Sequence, residues 1–514
     1  MLCSLLQRRR LWGSLTIAVL LLGSGFAAKA QASAAACEEL ARSPAPGALS
    51  MTASLVAAGP APSFPGMPPQ GTVPEHCRVI AVMQPVPDSR IQVEIWLPDP
   101  SAWNGKLLGT GNGGYSSMIY APQLAEAVRH GYAVAGSDTG HTGDSLTFGV
   151  GHPEKIRDWA YRSTHVMAET LRAVSAAYYG RSAKRAYFDG CSTGGQQALS
   201  EAQRYPDDFD GIVAGDPGYD RIALNGMFLW SWLVTHPEHG ATFPADKLPL
   251  LAHAVMQACG GRDGYAQDVI ADPRECHPDL ERLRCSGADG ANCLTEAEIH
   301  EAEELYAGPH DATTGASLYP GWPAGSETGW GAYFVGKPEP ARLAFWRLWI
   351  FDDPNWDPRS FHFVRDSDAA RTKLPYVDAT DSDLRAFRRQ GGKLLMYHGW
   401  ADPVVPPEDS IDYYEAVEKN LGTSPADFMR LFMVPGMHHC FGGPGATIFD
   451  PLAALDAWVT SGVAPERIVA EHRTNGQVDR TRPLCPYPQR AVWSGHGNQV
   501  DASSFVCVAP SGRH

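Results

Sequence analysis

The 514-residue chain predicts a doubly wound α/β fold interrupted by one large insertion. Three observations carry that expectation. Short strand-like runs alternate with helix-like runs at both ends of the chain, as a mostly parallel sheet requires. One strand-to-helix junction reads Gly190-Cys191-Ser192-Thr193-Gly194, a G-x-S-x-G turn. Between residues 219 and 381 the strand alternation disappears while tryptophans and prolines accumulate, and regular α/β texture resumes afterwards.

The first element is an address. Arg8, Arg9 and Arg10 precede an apolar run at residues 11–26, and Ala28-Lys29-Ala30 supplies a small-x-small cleavage signal, so residues 1–30 read as a signal peptide. Glycines and serines interrupt the run, and no longer apolar segment follows, which argues against a membrane anchor. The expected product is exported, to the periplasm or the medium. Of the 11 cysteines only Cys3 falls in this leader, leaving an even set in an exported chain, the pattern of disulfides. The cysteines from Cys259 to Cys293 suggest two small local loops, and Cys485 with Cys507 a C-terminal clip. No C-x-x-C pair points to zinc. The formal net charge is −15, and the leader holds only basic charges, so the exported protein is more acidic still. Nucleic acid and anionic membrane are therefore poor partners. No feature specifies an oligomeric state.

Residues 31–75, rich in alanine, proline and glycine, read as an irregular lead-in. Ile91, Val93, Ile95 and Leu97 then alternate with Gln92, Glu94 and Trp96, a half-buried strand. Lys106-Leu107-Leu108 runs into Gly109-Thr110-Gly111-Asn112-Gly113-Gly114, residues 132–137 form a further strand, and residues 164–179 carry helical periodicity. Arg185-Ala186-Tyr187-Phe188 leads into the Ser192 turn, residues 196–204 continue as a helix, and Gly211-Ile212-Val213-Ala214-Gly215 is the next strand. Within residues 219–381, Trp230, Trp232, Trp322, Trp330, Trp346, Trp349 and Trp356 mark a cap of helices and loops. Their rings suit either the cap's own core or the roof of a pocket. A strand at 392–399, a helix at 410–419 and a strand at 429–434 complete the pattern. The division is thus core (31–218), lid (219–381), core (382–514).

A serine hydroxyl needs a base, and the base an orienting acid. In α/β-hydrolases these follow in the order serine, acid, histidine, on loops after later strands. Asp402, in Gly399-Trp400-Ala401-Asp402-Pro403, and His439, in Pro435-Gly436-Met437-His438-His439-Cys440, meet both conditions. Asp381, Asp383 and Asp409 compete with the first and His438 with the second. Cys191 directly precedes Ser192 and Cys440 directly follows His439; a bond between them would hold their Cα atoms about 4.4–6.8 Å apart. Such a bond would close a loop of roughly 250 residues, worth on the order of 5 kcal/mol in the chain-entropy account. This adjacency selects His439 over His438. Trp400 and His398, as neighbours of Asp402, are expected to line the site.

The arrangement resembles the tannase and feruloyl esterase family, in which Cys-Ser and His-Cys pairs frame a Ser-Asp-His triad. The motifs are Gly190-Cys191-Ser192-Thr193-Gly194-Gly195, Tyr397-His398-Gly399-Trp400-Ala401-Asp402, the run from Val434 to Gly445, and Arg482-Pro483-Leu484-Cys485-Pro486-Tyr487-Pro488. The resemblance implies an α/β-hydrolase core with a large lid, hydrolysis of esters of aromatic acids, and no cofactor for the chemistry. It also implies the disulfides Cys37–Cys77, Cys191–Cys440, Cys259–Cys276, Cys285–Cys293 and Cys485–Cys507. The residue after the nucleophile, Thr193, supplies one oxyanion N–H, and the resemblance favours Gly114 for the other. The glycine loop lacks the lysine of a phosphate cradle.

Core motifs are also similar to a branch that hydrolyses mono(2-hydroxyethyl) terephthalate. Residues 319–375 show no counterpart of that branch's terephthalate-binding arginine and phenylalanine, and Thr193 stands where it has a glutamate. Feruloyl or galloyl esters therefore rank above terephthalate. Family members often hold a structural calcium in a lid loop. Here Gly260 and Gln267 replace two of its aspartates, leaving Asp263 in register, with Tyr265, Gln267, Asp268 and Val269 as the remaining oxygen sources for a weak cage. A non-catalytic binding protein on the same scaffold would need neither the triad nor its clamp.

Overall fold

A computed structural model describes residues 34–63, 71–239 and 242–509. The leader lies outside them. Nine strands form one sheet: β1 (Ala48–Val56), β2 (His76–Met83), β3 (Ile91–Pro98), β4 (Lys106–Thr110), β5 (Ala133–Ser137), β6 (Arg185–Cys191), β7 (Gly211–Gly215), β8 (Lys393–Gly399) and β9 (Met429–Val434). Their spatial order is β1-β2-β3-β5-β4-β6-β7-β8-β9. From β5 to β9 every pairing is parallel, while β1, β2 and β3 join the sheet antiparallel.

Apolar runs explain the centre. All of β7 and nearly all of β8 are buried, as parallel strands covered on both faces must be. On one face lie α2 (Ser163–Tyr179), α3 (Thr193–Arg204) and α5 (Pro407–Leu421), which contribute Met167, Leu171, Leu199 and Ile411 to the core. On the other lie α1 (Ala121–Arg129) and α6 (Pro451–Ser461), with Leu124, Leu455 and Trp458.

The irregular lead-in expected for residues 31–75 is corrected: it contains a short helix at 34–42 and the edge strand β1. Only Met51 of β1 is buried, and small or polar residues surround it. An edge strand with one covered face thus leaves little hydrophobic alternation to read.

Between β7 and β8 no strand joins the main sheet among the described residues. The chain there forms α4 (Arg221–Thr235) and helices Leu248–Cys259, Glu296–Ala307 and Phe363–Lys373. Trp322, Trp330, Trp346 and Trp349 are each 2 % exposed or less, so these rings fill the interior of this region. Because β4, β6, β7, β8 and β9 run parallel, the segments after them emerge at one sheet edge. Those segments carry Gly114, Ser192, Asp216, Asp402 and His439.

Candidate active site

Ser192 sits between β6 and α3 with φ 65° and ψ −119°, a strained backbone for a non-glycine residue. The glycines around it are needed for contact. A Cβ on Gly190 would meet the Gly194 carbonyl oxygen at 2.5 Å, and one on Gly195 would meet the Gly215 carbonyl oxygen at 2.4 Å. The turn therefore packs backbone on backbone, and it lifts the serine side chain out at the sheet edge.

There Ser192 Oγ lies 2.8 Å from His439 Nε2, and His439 Nδ1 lies 2.7 Å from Asp402 Oδ2. Asp402 is fully buried, and its Oδ1 accepts the N–H groups of Val404 (2.7 Å) and Val405 (3.1 Å). Burial alone would push this carboxyl up. The charge of His439 and the hydrogen bonds from His398 and His439 outweigh burial and hold it well below the usual carboxylate range. Of the competing residues, Asp409 accepts from Tyr319, Asp383 pairs with Arg385 and Asp381 accepts the Asp383 N–H, while burial makes the His438 imidazole harder to protonate. Cys191 and Cys440 are bonded with Cα atoms 5.9 Å apart. The structure also joins Cys37 to Cys77, Cys259 to Cys276, Cys285 to Cys293 and Cys485 to Cys507, the pairs that the resemblance implies.

On the side facing the glycine loop, the Thr193 hydroxyl donates to the Gly114 carbonyl at 2.9 Å. This clasps the first turn of α3 to the loop after β4. Thr193 Oγ1 in turn accepts from Arg221 Nη2 at 2.8 Å, and Arg221 also reaches Gln196 Oε1. Arg221 is 1 % exposed. Sequence reasoning missed it, since an arginine at the start of α4 carries no local mark of what it holds. Arg342 was missed too. It has φ 61°, stands 4.8 Å over the Phe228 ring, and its buried Nη1 has no hydrogen-bond partner. Its field reaches Tyr115, next to Gly114, and Tyr333, which also feels Asp402.

Two expectations about lining residues are corrected. His398 has no exposed surface and lies behind Asp402, with Nε2 3.2 Å from Asp402 Oδ2, so substrate does not reach it. Trp400 is 4 % exposed and lines a cavity of about 420 Å³ with Tyr265, Arg274, Pro435 and Tyr487, whose walls include neither Ser192 nor His439. His398 lies near the end of β8 and Trp400 follows the strand directly, and closeness to Asp402 in sequence does not become closeness to Ser192.

The loop at 259–270 fits calcium poorly. The Val269 carbonyl already accepts the Gly261 N–H at 3.1 Å, and the Gln267 carboxamide packs against Gly261. The Asp263 side chain lies outside the described atoms. A hard cation with six to eight oxygen ligands would find little charge here, so no step below runs through a metal.

The doubly wound sheet, the elbow and the bonded Ser–His–Asp array define an α/β-hydrolase of the serine type. The family described as "Tannase and feruloyl esterase" matches residues 77–508. An uncharacterized esterase of Xanthomonas campestris pv. campestris is 37% identical, over 93% of this chain and 92% of that protein. A probable feruloyl esterase B-1 of Aspergillus terreus is 34% identical, over 84% of this chain and 86% of its own length. The crystal structure of feruloyl esterase B from Aspergillus oryzae superposes with a TM-score of 0.87 at 29% identity, covering 93% of this chain and 100% of that one. Tannin acyl hydrolase from Aspergillus niger shares the fold, with a TM-score of 0.74 at 23% identity over 89% of this chain and 90% of that one. The chain belongs to the tannase and feruloyl esterase family. It is a carboxylic ester hydrolase.

Proposed function

We propose that the protein cleaves esters of phenolic aromatic acids, of feruloyl or galloyl type, through an acyl-enzyme on Ser192. The carrying observation is the continuous hydrogen-bonded line from Ser192 Oγ through His439 to Asp402 Oδ2, at 2.8 and 2.7 Å. Ser192 attacks the ester carbonyl as His439 Nε2 takes its proton, and Asp402 holds the Nδ1–H tautomer and stabilises the imidazolium. The N–H groups of Thr193 and Gly114 receive the oxyanion, a role supported by the Thr193 clasp on the Gly114 carbonyl. His439 then protonates the leaving alcohol, and water repeats the sequence to release the acid.

The names of the relatives support a feruloyl or galloyl acyl group. Residues 219–381 act as the lid in this proposal. Five disulfides support an oxidising compartment, and no described helix is long and apolar enough to cross a membrane. Export through residues 1–30 is part of the same reading.

Ser192→Ala is expected to abolish hydrolysis and fluorophosphonate labelling while the protein stays folded; retained hydrolysis refutes the assignment. Kinetics on methyl ferulate, methyl gallate and the terephthalate monoester, run side by side, rank the acyl groups.

A further inference from the structure

Behind the triad lies a second imidazole that the mechanism above does not use. His398, near the end of β8, has no exposed surface, and its Nδ1 is 2.7 Å from Ser410 Oγ on α5. Its Nε2 is 3.0 Å from the Val405 carbonyl, 3.2 Å from Asp402 Oδ2 and 3.7 Å from Asp216 Oδ1. A carbonyl oxygen only accepts, so Nε2 carries a proton. Asp402 Oδ2 therefore receives N–H groups from two histidines, His398 on one side and His439 on the other.

Asp216 follows β7 with φ 37° and is fully buried. Its Oδ1 accepts the Gly399 N–H at 2.9 Å, and its Oδ2 lies 3.4 Å from Cys191 Sγ, a disulfide sulfur with no proton to give. No lysine or arginine bonds to Asp216 or Asp402 among the described residues. The titratable groups facing this cluster are His398, His438, His439, Tyr333 and Tyr397. Two buried carboxylates beside one another are strongly unfavourable unless a cation or a proton stands between them.

We infer that His398 and Asp216 form a buried acid–base pair behind the triad, and that His398 is a positioning residue whose charge tunes the pull of Asp402 on the His439 proton. The inference rests on the triad reading. Burial opposes charging His398, but Asp216 and Asp402 outweigh it and raise its affinity for a proton. Burial likewise pushes Asp216 up to about 7. The two groups therefore titrate as a coupled pair, with macroscopic values that belong to both.

The charges give opposite signs for two near-isosteric variants. His398→Gln keeps a donor toward Asp402 and Val405 but removes a positive charge, so the acidic limb of kcat/KM on methyl ferulate should move up by about one pH unit. Asp216→Asn keeps an acceptor for Gly399 N–H and tolerates the left-handed backbone. It removes a negative charge, so the same limb should move down. Nitrogen NMR of the wild-type imidazoles gives a measurement independent of the variants' folding, with His398 expected to carry both ring protons between about pH 5 and 7. A neutral His398 across that range overturns the inference, as does loss of kcat in both variants with the limb unmoved. Retained hydrolysis in Ser192→Ala would sink the triad reading instead, so the two failures are distinguishable.

Discussion

Cys191 and Cys440 are bonded with their Cα atoms 5.9 Å apart, although 249 positions separate them in the chain. Each is the neighbour of a group in the proposed proton path, Ser192 and His439. Positive φ occurs next to one end of the bridge and at the other, 65° at Ser192 and 66° at Cys440, conformations that non-glycine residues hold only when their surroundings enforce them. The staple therefore constrains geometry that packing alone leaves costly.

Removing it should affect stability and turnover separately. The double variant Cys191→Ala/Cys440→Ala is expected to lose about 2–5 kcal/mol of stability. Well below its melting point it should lose about 10–100-fold in kcat with a smaller change in KM, because a displacement of order 1 Å at the Oγ–Nε2 contact is that costly. Calorimetry and steady-state kinetics on methyl ferulate read the two effects. An unchanged kcat would mean that strand positions alone set the contact.

Thr193 is the next test, because the proposed mechanism gives its side chain and its N–H different jobs. Thr193→Val preserves shape but removes the hydroxyl that reaches the Gly114 carbonyl and accepts from Arg221. The expected result is a fall of about tenfold or more in kcat as the oxyanion donors lose registration. A stability loss of about 1–3 kcal/mol should accompany it, from the unpartnered Arg221 donor. A rise in KM with kcat intact would assign Thr193 to substrate binding.

Much of this site was legible because its signals are local. Gly190, Ser192 and Gly194 declare a strand-to-helix turn within a few residues, and the motifs at Asp402 and His439 follow recognisable buried strands. The cysteines supplied what local sequence lacks, a constraint between distant positions. Arg221, Arg342 and Asp216 were illegible for the converse reason. Each matters through partners far away in the chain, such as Arg221 on Thr193 and Asp216 beside His398, and nothing in its own neighbourhood marks it. His398 and Trp400 show the same limit from the other side, since adjacency to Asp402 suggested contact with substrate, whereas His398 is buried within β8 and Trp400 lines a separate cavity. The strand β1 escaped notice because an exposed edge imposes little pattern.

Asp402→Asn tests the acid. The carboxamide introduced can still accept from Val404 and Val405 through its oxygen, which leaves its NH₂ facing the N–H groups of His439 and His398. Donor then opposes donor, His439 adopts the wrong tautomer, and kcat should fall about 10⁴-fold. The sign of the linkage follows from the depressed Asp402. Its contribution to stability is fully present above the unfolded value of about 3.9 and is lost as pH falls through the lower folded value. The variant's stability deficit should therefore be constant from about pH 5 upward and shrink only in acid. A deficit that varies between about pH 6 and 8 would implicate the neighbouring histidines instead.

Glu201 carries the opposite sign, away from the site. It lies on α3 with no exposed surface, and neither carboxyl oxygen receives a hydrogen bond from an N–H or O–H group. Burial, and then the charge of Asp208, raise it well above the ordinary value. The folded protein thus binds more protons here than the unfolded chain over the interval above the unfolded value of about 4.3, and stability declines as pH rises through it. Glu201→Gln does not titrate and can donate to Asp208 at every pH. Its melting temperature should match the wild type near pH 4 and exceed it increasingly toward pH 8, by on the order of 2 °C. Parallel melting curves for the two proteins across that range would show that Glu201 is charged in the folded state and that its partner is still to be found.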